Sequence, residues 1–471
     1  MINVIFKLEE NDSLLKFKFS NCGILIWPII RNQVCNYIMK NPQIYMTNSG
    51  LSKVKYYFDV LRYSIKNKNS LRQYDLLYLT TQSLNKMGEN GCYRNRIYDY
   101  YAEKYSNKSI IFEEAFNGEV RLPRSFQNIF LMDAIKLKVK IKETAANIFK
   151  NIKSNKVSEI EEFIEFIADN LGQYLSSDQL TTIKNTLYRY NKILIFYSKE
   201  YKKLLDIIQP KIIFINALSY GGVNSCISYW AKSLKGCTVC EIQHGYIGEN
   251  HPSYNYGQSI MNNEEYQKYL PDKLLLFGKY WEEIIKTPSQ KLIIGSPEFE
   301  KLSQNSSITQ KKSKHKTILF ISQWTISQEL AKLAIELSSQ ITEDKYHIIY
   351  KLHPAEVMNR QWISNLVNLK NIDVVKDKDL YLLLLNADFV IGCYSTALYE
   401  ALGLNKQVFI LNNQYSRKHM DKKTGIWINN AKELIFYINK NMEERSFNKN
   451  YYWAENWAQN FDEFIRKIMN E

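Results

Sequence analysis

Two histidines close short apolar runs. His244 ends TVCEIQHG (238–245) and His353 ends IIYKLHPAE (348–356), in a chain with only six histidines. A neutral imidazole, with an unperturbed pKa of ~6.5, can take a proton from a hydroxyl, and that is the role expected of His244. Gly245 frees the backbone to turn and leaves an acceptor room, with Gln243 just ahead of it. His251, in the loop ENHPSYNYG, is a second candidate base, and Tyr254 and Tyr256 beside it offer stacking faces for a sugar. Lys351 and His353 bring an ammonium and an imidazole to one strand end, where a phosphate could meet both. Pro354 biases His353 towards extended backbone. Further along, DFVIGCYSTALYEALGL runs from a strand into a helix. Ser395 is a natural N-cap there, Thr396 opens the first turn, and the free amides of such a start attract anions. Glu400 lies about one turn inside, within reach of a ribose.

Two loops stand near these motifs. TTQSLNKMGENGCYRNRIYDYY (80–101) is polar and follows an apolar run; Glu89, Arg94 and Asp99 are expected there on the acceptor side. Either carboxylate is an alternative to His244 or His251 as base. SQWTISQ (322–328), with Gln323, follows the first strand of the second half and belongs on the donor side. It has no glycine-rich pattern, which excludes a P-loop or a dinucleotide fingerprint. In GILIWPIIR (23–31), Trp27 reads as core and Arg31 as a surface charge.

The elements that must position these residues form a β/α series. YDLLYLTTQS (74–83), SIIFEE (109–114), KIIFIN (211–216), TVCEIQ (238–243), DKLLLFG (272–278) and KLIIGSP (291–297) read as strands. Apolar residues recur at three and four across much of 132–206, predicting helices. The stretch 303–316 is polar and basic, a linker. Beyond it the rhythm restarts with KTILFIS, YHIIYKL, IDVVKD, DFVIGCYS and QVFILN. Short, continuously apolar strands separated by helices predict parallel sheets covered on both faces. The expected fold is α/β: two facing Rossmann-like domains, an acceptor-side one over 1–302 with a helical insertion and a nucleotide-binding one over 317–455. A terminal helix over 456–471 is able to cross back. Ligands of such sheets bind beyond the carboxyl ends of the strands, where both histidines lie.

Length and charge agree with this. A chain of 471 residues exceeds the usual size of one core. Lys and Arg total 62 against 48 Asp and Glu, net +14, which favours anionic partners. The charges are scattered apart from KKSKHK, and no nucleic-acid motif is present. Seven cysteines without framework spacing point to a reducing cytosol. Cys237 and Cys240 form a lone pair read as buried thiols, so no metal site is expected. No signal peptide and no apolar run of ~20 residues is present, so a cytoplasmic protein is expected, able to sit on the inner face of the plasma membrane.

KLHP followed by GCYSTALYEALG resembles bacterial surface-polysaccharide transferases of the GT-B fold, mainly over 316–412. The HP and S-S/T motifs are similar to those of sialyl- and polysialyltransferases, which use CMP-sugars, and of CDP-glycerol-dependent teichoic-acid polymerases. The acidic tripeptide of the sialyltransferases is absent, whereas QHG resembles the His-Gly motif of the polymerases. The resemblance implies that His353, Ser395 and Thr396 contact the donor phosphate and that Glu400 lies near the ribose. It implies a metal-independent, inverting glycosyltransferase of capsule or lipopolysaccharide synthesis. It needs no cofactor beyond a substrate nucleotide sugar, expected to be a CMP-linked nonulosonic acid. The acceptor is a lipid-linked or oligosaccharide glycan at an anionic inner membrane. A CDP-polyol phosphotransferase, a UDP-sugar transferase and a non-catalytic sugar-nucleotide-binding assembly protein stay open as alternatives.

Overall fold

The structure is a computed structural model that describes residues 2–39, 53–67, 71–88, 90–149, 157–305, 314–354, 356, 360–440 and 448–469. The first sheet is built from β1 (Leu76–Thr81), β2 (Ser109–Glu114), β3 (Ile129–Leu131), β4 (Ile212–Ile215), β5 (Thr238–Ile242), β6 (Lys273–Leu276) and β7 (Gln290–Ile293). Its spatial order is 3-2-1-4-5-6-7 and every pairing is parallel. β1 is buried along all but its last residue, as a strand covered on both faces must be. A small antiparallel hairpin, Asn85–Met87 against Tyr93–Asn95, rises from the end of β1. Between β3 and β4 run the helices Asp133–Phe149, Ser158–Leu171 and Ser177–Ile208. The last starts on a reciprocal cap: Ser176 accepts from the Gln179 amide at 3.2 Å, and Gln179 accepts from the Ser176 amide at 2.9 Å.

The second sheet comprises β8 (Lys316–Ile321), β9 (Tyr346–Lys351), β10 (Ile372–Val375), β11 (Phe389–Gly392), β12 (Gln407–Leu411) and β13 (Ile426–Ile428). Its order is 10-9-8-11-12-13, again all parallel. Each sheet therefore reverses direction once, between β1 and β4 in the first and between β8 and β11 in the second. Loops diverge at such a reversal and leave a crevice beyond the strand ends. The molecule is α/β with two facing Rossmann-like domains.

The domains share a core. Phe277, Tyr280, Trp281 and Phe299 of the first pack with Leu398, Tyr399 and Leu402 of the second in one apolar cluster. Trp453 joins them, its indole donating to the Tyr399 carbonyl at 3.0 Å. The chain then returns to the first domain. Phe461, Phe464 and Ile465 of the helix Trp457–Met469 bury against Leu76, Tyr78, Ile111 and Phe214. No described helix is long and apolar enough to cross a membrane.

Candidate active site

Both reversal points open into the same crevice. After β8 the chain places Gln323 and Trp324, and after β11 Tyr394 and Ser395. The Gln323 side-chain amide donates to the Tyr394 carbonyl at 2.9 Å, which ties these two loops together. Ser395 is extended and its hydroxyl accepts from the Ala397 amide at 3.2 Å, capping the helix Thr396–Gly403. Thr396 faces the other domain: its hydroxyl accepts from the Tyr246 amide at 2.8 Å. At the end of β9, the His353 amide donates to Glu356, and the Glu356 amide donates back to the His353 carbonyl at 2.9 Å. This closed turn aims His353 at the helix start.

On the opposite wall, β4 ends and the chain turns through Ala217, Gly221 and Gly222, all with positive φ. Gly221 has φ +83°, and a Cβ there would stand 2.4 Å from the Pro28 carbonyl oxygen, so only glycine fits. This sets Tyr220 in the crevice with its hydroxyl 3.1 Å from His251 Nε2. The loop carrying His251 is clamped from far away in sequence. Arg31 is buried, paired with Glu9, and donates to the carbonyls of Pro252 and Asn255, the latter at 2.9 Å. Arg31 is thus the fixture of this loop and not the surface charge expected. Trp27 is core, with its indole also donating to Glu9 at 3.1 Å. Beneath the loop, the buried Glu241 accepts from the Ser219 amide at 2.9 Å and from the Tyr254 hydroxyl at 2.6 Å. Burial outweighs these bonds and raises its pKa to about 7.

Two adjoining cavities result. One, of about 580 Å³, is lined by His251, His353, His419, Tyr220, Trp324 and Tyr394, with Asn32 and Asn36 from the helix Trp27–Ile38. Among the described residues, no lysine, arginine or carboxylate lines it. The other, of about 490 Å³, is lined by Lys86, Arg96, Lys351, Lys376 and Lys378 against Asp377 and Asp379, with Pro354. Gln323, His353 and Ser395 belong to both.

The imidazoles are neutral at ordinary pH. Burial lowers His251 to about 3, helped by His244 and His419, and lowers His244 to about 4, helped by Arg96. His419 falls to about 4 by burial and Lys418, and His353 falls by burial against the pull of Glu356. Lys351 is likewise lowered by burial. Its ammonium donates to the carbonyls of Leu352 and Lys376, the former at 3.2 Å.

The structure reorders several expectations. His251 lines the crevice, whereas His244 stands behind Tyr220, ring centroids 5.8 Å apart, and lines neither cavity. Gln243 is buried and consumed internally, donating to the Gly245 carbonyl at 2.9 Å and accepting from the Phe277 amide at 2.9 Å. A Cβ on Gly245 would meet Thr396 at 3.7 Å, an ordinary contact, so no tight turn depends on that glycine. Tyr254 is buried with its hydroxyl on Glu241, which corrects its expected role as a stacking face. Asp99 is fully buried between the Arg124 guanidinium, at 2.8 Å, and the Asn95 amide, which removes it as a base. Arg94 is held by Glu103 at 2.6 and 2.8 Å, outside both cavities. Glu400 is buried, accepts from the Tyr381 hydroxyl at 3.0 Å, and lines neither cavity. Glu89 lies outside the described residues, as do 306–313 of the expected linker. Tyr220, Trp324, His419 and Arg96 were not singled out from the sequence. The Gly-Gly following β4 is a signal for the first; His419 has none, because it ends a short basic helix, Gln414–His419.

No protein-family model matches the chain. It is 25% identical over 448 residues to an uncharacterized protein of Methanocaldococcus jannaschii, covering 87% of this chain and 74% of that one. Among solved structures it is similar to the UDP-GlcNAc 2-epimerase of M. jannaschii in complex with UDP-GlcNAc and UDP: TM-score 0.44, 14% identity, 84% of this chain and 99% of that one. It is also similar to the wall teichoic acid polymerase TagF: TM-score 0.42, 13% identity, 90% of this chain and 99% of that one. A third is the UDP-GlcNAc 2-epimerase of Neisseria meningitidis bound to UDP-GlcNAc: TM-score 0.44, 11% identity, 84% of this chain and 100% of that one. At these scores the likenesses say nothing of this chain's chemistry.

Proposed function

We propose that the protein is a nucleotide-dependent transferase that moves an uncharged sugar from a nucleoside diphosphate to a hydroxyl acceptor. One observation carries this reading: a cationic cavity and an uncharged imidazole and aromatic cavity meet at His353 and the capped helix start of Ser395. The nucleotide phosphates take the cationic side, where Lys351 and the free amides of the helix start stabilise negative charge. The group in transit and its acceptor take the other side. His251 removes the acceptor proton at Nε2, the acceptor hydroxyl replacing that of Tyr220 as its partner. The acceptor oxygen forms the new bond as the bond to the nucleotide phosphate oxygen breaks, and the electron pair leaves on that phosphate. His353, neutral and at the junction of the cavities, donates a hydrogen bond to the departing oxygen.

The donor expected from the sequence, a CMP-linked nonulosonic acid, would carry its own carboxylate into a wall that, among the described residues, offers no cationic side chain. It therefore stands second to a UDP-sugar; transfer of polyol phosphate from a CDP-polyol, with attack on phosphorus and CMP leaving, is the alternative. Calorimetric titration of the full chain with CMP, CDP and UDP tests the reading. A nucleoside diphosphate should bind at least ~10-fold more tightly than CMP, as expected for a second charge-assisted phosphate contact. Tightest binding by CMP restores the nonulosonic donor, and no binding by any of the three overturns the proposal. Binding that persists in His251→Asn together with unchanged surface glycan in cells would make the protein a non-catalytic assembly factor.

A further inference from the structure

We propose that Arg96 is a ligand for the donor phosphate supplied by the acceptor-side domain, so that the nucleotide site is complete only with both domains around it. The inference rests on the transferase reading above. It starts from which cations are already paired. Around the hairpin that follows β1, Arg94 is held by Glu103 and Lys86 by Asp379 at 3.3 Å. Arg121 donates to the carbonyls of Gln82 and Asn85 at 3.1 and 3.0 Å, and Arg124 is forked onto Asp99 and Glu113. Arg96 differs. Its guanidinium has no hydrogen-bond or ion-pair partner among the described residues, although it is half-buried.

Its position is nevertheless firmly fixed. The Arg96 amide donates to the Leu84 carbonyl at 3.2 Å, which holds the hairpin closed. The preceding Asn95 is fully buried and caps the helix Tyr98–Lys104, accepting from the Tyr98 amide at 3.0 Å. Behind both sits the buried Arg124–Asp99–Glu113 network. A guanidinium on so rigid a mount, partly withdrawn from water and without a hydrogen-bonded partner among the described residues, is costly to leave unpaired. It faces the cationic cavity, across from Lys351, His353 and Ser395 of the other domain. Burial raises the pKa of nearby Glu400 against the pull of the Arg96 charge, and its carboxylate is hydrogen-bonded to Tyr381 rather than to Arg96. A guanidinium binds phosphate through two parallel N–H bonds, a geometry that lysine cannot reproduce.

The test compares the full-length wild-type chain with Arg96→Gln and Arg96→Lys by calorimetry, using CDP, UDP and glycerol phosphate as probes. Expected is a loss of ~30-fold in nucleoside diphosphate affinity for Arg96→Gln and a smaller one of ~5-fold for Arg96→Lys, with glycerol phosphate binding unmoved. Unchanged thermal midpoints show that the hairpin is intact. Nucleotide affinity equal to wild type in both variants overturns the proposal. A loss confined to glycerol phosphate also overturns it, moving the arginine to a phosphorylated acceptor. Failure of the wild type to bind nucleotide defeats the transferase reading one stage earlier, before the variants are compared.

Discussion

The two cavities are neighbours with opposite design. The cationic one is assembled from lysines and a single arginine on loops at the strand ends. The uncharged one is assembled from rings and amides held by buried polar contacts, with Glu9, Arg31 and Glu241 beneath it. Net positive charge suffices to attract and neutralise an anion, whose field reaches several ångströms. Shape and proton transfer require atoms placed to within a fraction of an ångström, so the uncharged wall carries the more elaborate support.

Breaking that support should have the largest effect. Arg31→Met leaves the Glu9 carboxylate buried and unpaired and should cost ~3–5 kcal/mol in urea unfolding. A wild-type midpoint would show that the uncharged wall does not depend on this pair. Next, His251→Asn should lower turnover ~100-fold or more while nucleotide affinity stays within ~2-fold, because the two cavities act separately. A matching loss in His244→Asn but not in His251→Asn would return the base to the strand end.

Acidity distinguishes the cavities more gently. His244, His251 and His419 stay neutral in the fold down to about 4, 3 and 4. In the unfolded chain they take protons near ~6.5. The unfolded state thus binds more protons below about pH 6.5, and stability falls as pH falls from there towards 4. Glu241, raised to about 7, has the opposite sign: its contribution is present at acid pH and is lost as pH rises through 7. Three imidazoles outweigh one carboxyl, so the net acid slope is destabilising. His251→Asn should reduce that slope by ~1.4 kcal/mol per pH unit in denaturation curves taken between about pH 6 and 4. Smallest of all, Ser395→Ala should cost ~1 kcal/mol of stability through the lost cap, with a weaker nucleotide affinity.

What could be read from the sequence follows the range of the interactions involved. Continuous apolar runs encode strands buried on both faces, so two parallel-sheet domains were legible. The Ser395 cap is closed by a residue two positions away, and local pattern captures it, whereas the turn closed by Glu356 at His353 was not read. The choice between His251 and His244 is different. It is settled by Arg31 gripping the Pro252 carbonyl and by Gly221 pressed on Pro28, contacts between segments about two hundred residues apart. Asp99 read as a loop carboxylate because nothing adjacent reveals Arg124, which reaches it from another turn. Arg96 looked like one arginine among many until its neighbours were seen to be paired.

The helix Trp457–Met469 is the last to leave the ribosome among the described elements, yet it covers strands some hundreds of residues ahead of it in the chain. Until this helix is made, the first sheet has Tyr78 and Phe214 uncovered on that side. Biogenesis cannot proceed bead by bead, one finished half after another. A fragment ending before residue 457 should emerge sticky, and a detached tail peptide should restore it.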